Sequence, residues 1–155
     1  MRVTIEQLAA TKGRILGVDF GDVRTGLAIS DPARFLASGL QTVKPGSMTK
    51  TAVCVVQTAQ ELGAVAVVVG LPVNMNGTEG PRAEHIRLFV GMLEEQAPGL
   101  PILLLDERMT TMAASRFLNE TNTRGEKRKQ VIDTLSAQII LQNALDRLKH
   151  QASAL

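Results

Sequence analysis

The sequence predicts an α/β fold: a mixed five-stranded sheet in which an antiparallel three-strand meander adjoins parallel strands, with helices on both faces. Three observations carry this expectation. Short apolar runs joined by tight polar breaks fill residues 14–43, the apolar period becomes helical from Ser47, and aliphatic runs then alternate with amphipathic ones. A chain of 155 residues can bury one ordinary core, so the whole length 1–155 is expected to form one domain.

Residues 1–12 are short and mixed, with Thr4, Glu6 and Leu8 in a weak pattern, and read as either a short helical turn or a flexible arm. The stretch RILGVDFGDVRTGLAISDP, residues 14–32, follows. Its apolar run Arg14–Val18 leads into Asp19 and Phe20, breaks at Gly21 and Asp22, and resumes from Gly26 to Ile29, the pattern of a β-hairpin. Ala37–Val43 is a third strand, stopped by Lys44, Pro45 and Gly46. Ala52, Val55, Val56, Ala59 and Leu62 then recur at helical spacing, with Ser47 or Thr49 as N-cap and Gly63 as stop.

Ala64–Val69 is an unbroken aliphatic run, as in a central strand covered on both faces, and it ends at Gly70, Leu71 and Pro72. The loop VNMNGTEGP leads to a helix with Pro81 at its first position and Ile86, Phe89, Val90 and Leu93 on one face. Pro98, Gly99 and Pro101 precede a fifth strand, Ile102–Leu105, which runs into Asp106, Glu107 and Arg108. Thr110 or Thr111 can cap a short helix through Ala113, Ala114, Phe117 and Leu118. A polar and basic stretch, Asn119–Lys129, leads into a long final helix.

Composition excludes several classes. With no Trp or Tyr the core is aliphatic, and aromatic platforms for single-stranded nucleic acid are not expected. The single cysteine, Cys54, excludes an internal disulfide or a cysteine-based metal site, fits a reducing compartment and reads as a buried small apolar residue. His85 and His150 stand apart and make no zinc site. No leader and no membrane-length apolar run is read, so the expected location is cytoplasmic and no membrane partner is expected. A net charge of +2 decides little, although Arg124, Lys127, Arg128 and Lys129 form a local basic group. That group is either a solvated loop and helix start or a phosphate-contacting surface, and Arg24 is either a turn cation or a backbone clamp.

Three carboxylate positions point to chemistry. In the last helix Asp133, Ala137, Ile140, Ala144 and Leu148 share one face, which makes Asp133 the charge on an apolar stripe. It either serves a site or lies near the helix start, where the dipole favours an acid. Asp19, at a strand end, is either a turn residue bonding its own backbone or the first member of an acidic site. Asp106 and Glu107 compete, because adjacent extended residues face opposite sides. One of them faces the site and the other pairs with Arg108 or is solvated. Acids on two strand ends and a helix suit oxygen coordination of Mg²⁺ or Mn²⁺, and two such ions together can activate water for phosphodiester hydrolysis. In sheets of this kind sites gather at the C-terminal ends of parallel strands, where Asp19, the loop from Asn74 to Gly80 and Glu107 would meet.

The blocks ILGVDFGDVRTGLAISDP (15–32), VVVGLPVNMNGTEGP (67–81), LLDERMTT (104–111) and KRKQVIDTLSAQIILQNALD (127–146) together resemble the YqgF family. That family comprises Holliday junction resolvase-like and precursor 16S ribosomal RNA nucleases with an RNase H-like fold. The resemblance spans almost the whole chain. It implies a hydrolase, a two-metal-type nuclease acting on structured nucleic acid, with catalytic and metal-binding positions at Asp19, Glu107 and Asp133. It also makes Glu107 rather than Asp106 the metal-facing acid. Asn74, Asn76, Arg108, Thr110 and Thr111 lie in the matching blocks and become candidates for positioning substrate, beside Arg24 and the basic group. Asp22 stands where many relatives carry Thr or another small polar residue.

The implied substrate is precursor 16S ribosomal RNA, cut during 5′ maturation in ribosome biogenesis, with ribosomal particles as possible partners. The alternatives are resolution of branched DNA in recombination and repair, or a non-catalytic RNA-binding assembly factor. A nucleotide-binding phosphotransferase with a similar first hairpin is a further class, opposed by the chain's length, since such sites lie between two domains. Monomer and homodimer are both compatible, and symmetric junction cutting would call for two sites in a dimer.

Overall fold

A computed structural model describes the backbone of residues 1–109 and 126–153, and the side chains of residues 1–108 and 134–151. Strands β1 (Ile15–Asp19), β2 (Thr25–Ser30) and β3 (Ala37–Val43) are joined by breaks too short for a helix and therefore pair antiparallel. Helix α2 (Met48–Leu62) starts at Ser47, whose hydroxyl accepts from the Lys50 amide, and stops at Gly63, whose φ of 68° is left-handed. It carries the chain back to β4 (Ala66–Leu71), which lies parallel to β1. Helix α3 (Pro81–Gln96), with proline in its first turn, returns the chain to β5 (Ile102–Asp106), parallel to β4. A 3-10 turn, Glu107–Met109, follows β5, and α4 (Glu126–Ser153) closes the described chain.

The sheet order is β3-β2-β1-β4-β5, which confirms the five-stranded mixed sheet with its meander at one side. Strand alternation divides the core. Leu16, Val18, Phe20, Val67, Val69 and Leu71 pack under α2 and α3, while Ile15, Ala28, Ala66, Val68, Leu103 and Leu105 pack under α4. The face expected on the last helix is present, with Ala137, Ile140, Ala144 and Leu148 all buried.

Several boundaries differ from the sequence expectation. Of the two readings of residues 1–12, the short helical turn is the one present: Thr4 and Gln7 form a reciprocal capping box on a short helix, α1 (Ile5–Ala9), and Arg2 bridges to Ile102. Arg34 fastens the chain after α1, its guanidinium donating to the carbonyls of Gly13 and Leu8 and to the Thr11 hydroxyl. Strand β4 does not stop before Gly70, because pairing of Gly70 with Leu105 and of Leu71 with Asp106 carries the ladder two residues further. Cys54 is half-buried rather than fully buried. The short helix expected over residues 113–118 lies outside the described residues.

Candidate active site

The alternation that sorts the core also sorts the acids. Asp19 continues the series Ile15, Gly17 and thus belongs to the α4 face of β1. Gly70 belongs to the same face of β4. Glu107 follows Leu103 and Leu105 just past the end of β5, as the first residue of the 3-10 turn. Asp19 is 8% exposed and Glu107 5% exposed, so both carboxylates are buried at the C-terminal edge of the parallel strands.

One glycine brings them toward each other. Strands β1 and β5 are separated by β4, a distance of about 10 Å at ordinary strand spacing. The Glu107 carboxylate crosses part of that gap by lying over Gly70: a Cβ there would stand 2.7 Å from Glu107 Oε1 and 2.6 Å from Ile140 Cδ1. A second glycine on the same face, Gly17, admits α4 to the sheet. A Cβ at 17 would meet Leu141 Cβ at 2.7 Å and the Ala137 carbonyl at 3.1 Å. Neither role was read from the sequence, where Gly70 looked only like a strand stop.

Helix α4 also fixes where the backbone of Asp133 stands along the sheet. Ile140 touches the end of β4 at Gly70, whereas Leu148 lines a cavity with Gly13, just before β1 begins. The helix therefore runs from the C-terminal edge of β1 and β4 toward their starts. Position 133 is one turn before Ala137 and two turns before Ile140, farther toward that edge by about 10 Å of helix rise. The Asp133 side chain lies outside the described residues, as do those of Lys127, Arg128 and Lys129 in the first turns of α4. Thr110, Thr111 and Arg124 are outside them entirely. Among the described residues no cluster of three or more His, Cys, Asp and Glu side chains is formed, so the described acids of the site are Asp19 and Glu107.

At the end of β5 the two adjacent acids have different surroundings, Glu107 buried and Asp106 paired with Arg108. Asp106 holds Arg108 through Nε at 3.1 and 3.2 Å and Nη2 at 2.7 Å. The hydrogen bonds from Arg108, opposed by partial burial, set the Asp106 carboxyl below the usual aspartate range. The remaining Arg108 nitrogen, Nη1, lies 3.4 Å from the Asn74 carbonyl. Arg108 thus braces the loop after β4 against β5. The loop closes on itself: the Asn74 amide bonds the Thr78 carbonyl at 2.8 Å, and Asn76 Oδ1 accepts from the Thr78 hydroxyl at 2.6 Å. Asn74 and Asn76 therefore shape the loop through the groups described. Its outer acid, Glu79, forks with Arg87 at 2.6 and 2.7 Å, and those bonds lower the Glu79 carboxyl.

Helix α3 reaches the same edge from the opposite face. Phe20, next to Asp19, stacks on Phe89 with ring centroids 4.3 Å apart. Asp22 meets His85 at 3.2 Å, and Arg82 Nη2 lies 3.4 Å from the Phe20 carbonyl and 3.7 Å from Asp19 Oδ1. Asp22 is thereby a point of attachment between the first turn of the hairpin and α3. Arg24 occupies that turn, half-buried, its carbonyl too close to Gly21 to admit a Cβ there. Arg82 escaped the sequence reading. The signal was a cation in the first turn of a helix, where the dipole disfavours one.

A mixed sheet of this order, with Asp19 and Glu107 buried at its C-terminal edge, is an RNase H-like fold. The fold matches that of RuvC from Thermus thermophilus, solved in complex with a Holliday junction substrate, with a TM-score of 0.60 at 17% identity, covering 90% of this chain and 97% of that one. The family model described as "RuvX: Holliday junction resolvase" matches residues 13–147, and the chain belongs to that family of nucleases. A relative from Ruminiclostridium cellulolyticum, named "Putative pre-16S rRNA nuclease", is 42% identical, covering 87% of this chain and 95% of its own. A relative of the same name from Thermoanaerobacter pseudethanolicus is 45% identical, covering 89% of this chain and 99% of its own.

Proposed function

We propose that this protein is a divalent-metal-dependent endonuclease whose substrate is precursor 16S ribosomal RNA, cut in the course of 5′ maturation. The observation that carries the reading is the pair of buried carboxylates, Asp19 and Glu107, on one face of the sheet edge, with Gly70 leaving the space that Glu107 enters. Buried carboxylates call for cationic company, part of which Arg82 gives Asp19 at 3.7 Å. Their hard oxygen donors fit Mg²⁺ or Mn²⁺.

Asp19, Glu107 and, from α4, Asp133 would hold the metal. A bound pair of such ions supplies an activated water and stabilises the leaving oxygen of a phosphodiester. The chain's own contribution is placement. Strand β1 and the Phe20–Phe89 stack fix Asp19, and the 3-10 turn and Gly70 fix Glu107. The Arg108 fork keeps Asp106 engaged on its own side of β5, so that it does not add a further negative charge to the site. The self-closed loop 74–78 gives a rigid rim for a nucleic acid strand, with the basic start of α4 as a further phosphate contact.

The names of the curated relatives support an RNA substrate. The family description and the fold shared with RuvC favour a second reading, cleavage of a four-way DNA junction. Matched precursor RNA and four-way junctions incubated with the protein and Mn²⁺ separate the two, with the Asp19→Asn variant as control. RNA cleavage that the variant lacks is the expected result. Cleavage of the junction alone supports the second reading, and cleavage unchanged by Asp19→Asn removes the catalytic assignment.

A further inference from the structure

The arginines around the sheet edge are in different states. Arg87 is forked onto Glu79, and Arg108 onto Asp106 with its third nitrogen at the Asn74 carbonyl. Away from the edge, Arg34 uses all three nitrogens on backbone and hydroxyl oxygens. Arg82 differs. Among the described contacts only its Nη2 is engaged, at 3.4 Å from the Phe20 carbonyl and 3.7 Å from Asp19 Oδ1, and its side chain is 50% exposed. Both distances are at the long end for such contacts. A structural pair would take the short forked form that Arg87 and Glu79 adopt a few residues away.

The base of this side chain is nonetheless firmly held. The Phe20–Phe89 stack and the Asp22–His85 contact fasten α3 to the end of β1, so the helix bearing Arg82 is fixed while the guanidinium is loosely engaged. A planar fork held beside a buried acid, with Nε and Nη1 open, has the geometry for a phosphate diester.

We propose that Arg82 is the phosphate clamp of the site, its guanidinium moving from Asp19 to a substrate backbone phosphate lying beside that residue. The proposal rests on the nuclease reading above. It also assigns Arg82 a second effect: without substrate, its charge competes with a cation for Asp19.

Two measurements on Arg82→Gln and Arg82→Lys test this. The first is Mn²⁺ calorimetry without nucleic acid. Arg82→Gln is expected to bind Mn²⁺ severalfold more tightly than the unaltered protein, because a positive charge has left the neighbourhood of Asp19. The second is the salt dependence of precursor RNA binding with Mn²⁺ on a Glu107→Gln background, which prevents cutting. Adding Arg82→Gln is expected to lower the log–log slope by roughly one and weaken binding about tenfold, with Arg82→Lys retaining the slope. An unchanged slope overturns the proposal. So does weaker Mn²⁺ binding by Arg82→Gln, which would make Arg82 a prop that merely holds Asp19 in place. Either failure leaves wild-type cleavage and its loss in Asp19→Asn intact. A wild-type protein that cuts neither RNA nor junction removes the nuclease reading, and this proposal with it.

Discussion

At the scale of single residues, the two adjacent acids at the end of β5 have been given opposite tasks by local geometry. Glu107 is buried over Gly70, whereas Asp106 is forked to Arg108 and retains about a third of its side-chain exposure. The Asp106 carboxyl is lowered in the folded state, so its contribution to stability is fully present above its ordinary value of 3.8 and is lost as pH falls through the lowered one. Thermal melts of Asp106→Asn should therefore be less stable than wild type near neutrality and converge with it on acidification. A constant difference between the two at all pH values would show that the Arg108 bond is not the cause. Gly70 offers a second test. Gly70→Ala should cost about 1–3 kcal/mol by overpacking, because the new methyl meets both Ile140 and Glu107. Trimming Ile140 to Val in the same chain should recover part of that stability, measured as non-additivity in denaturant melts. Activity should not recover, since the Glu107 carboxylate remains displaced.

At the scale of elements, much was legible in the sequence because each element carried its own period and its own stop. The Ser47 cap and the left-handed Gly63 bound α2 where the sequence placed them, and β3 spans Ala37–Val43 as read. The stripe from Ala137 to Leu148 is buried as its spacing implied. What a one-dimensional pattern could not reveal is contact between elements. Gly17 lay unremarked inside an apolar run and Gly70 read as a strand stop, yet they are where α4 and Glu107 approach the sheet. Arg82 was not singled out, because its distance to Asp19 depends on how α3 crosses the end of β1. Strand pairing likewise extended β4 past the glycine that seemed to end it. The α4 contact yields its own prediction. Gly17→Ala should destabilise by about 1–3 kcal/mol, and trimming Leu141 to Ala should not restore it, because the Leu141 Cβ at 2.7 Å is kept and the Ala137 backbone carbonyl also stands in the way at 3.1 Å. Full recovery in a Leu141→Ala double variant would contradict that packing.

At the scale of the whole molecule, two helical layers grip one sheet edge from opposite faces. Helices α2 and α3 hold Phe20 from one side, and α4 covers Gly17 and Gly70 from the other. Stability and site geometry are therefore coupled through the fully buried Phe89, and Phe89→Ala should cost about 3–5 kcal/mol in chemical unfolding. Among the described residues no helix is long and apolar enough to cross a membrane. Four ordered sequence blocks foretold the family, and the family model spans all four. They left Asp133, Lys127, Arg128 and Lys129 to positions in the first turns of α4, which the helix direction places toward the same edge. In the proposed function the buried acids Asp19 and Glu107, and not their neighbour Asp106, form the metal-dependent site. Its most direct test is the Mn²⁺-dependent cleavage rate of Glu107→Gln beside Asp106→Asn on the same precursor RNA. The account predicts a loss of more than about a hundredfold for Glu107→Gln and no more than a few-fold change for Asp106→Asn. Equal losses, or a greater loss for Asp106→Asn, would contradict it.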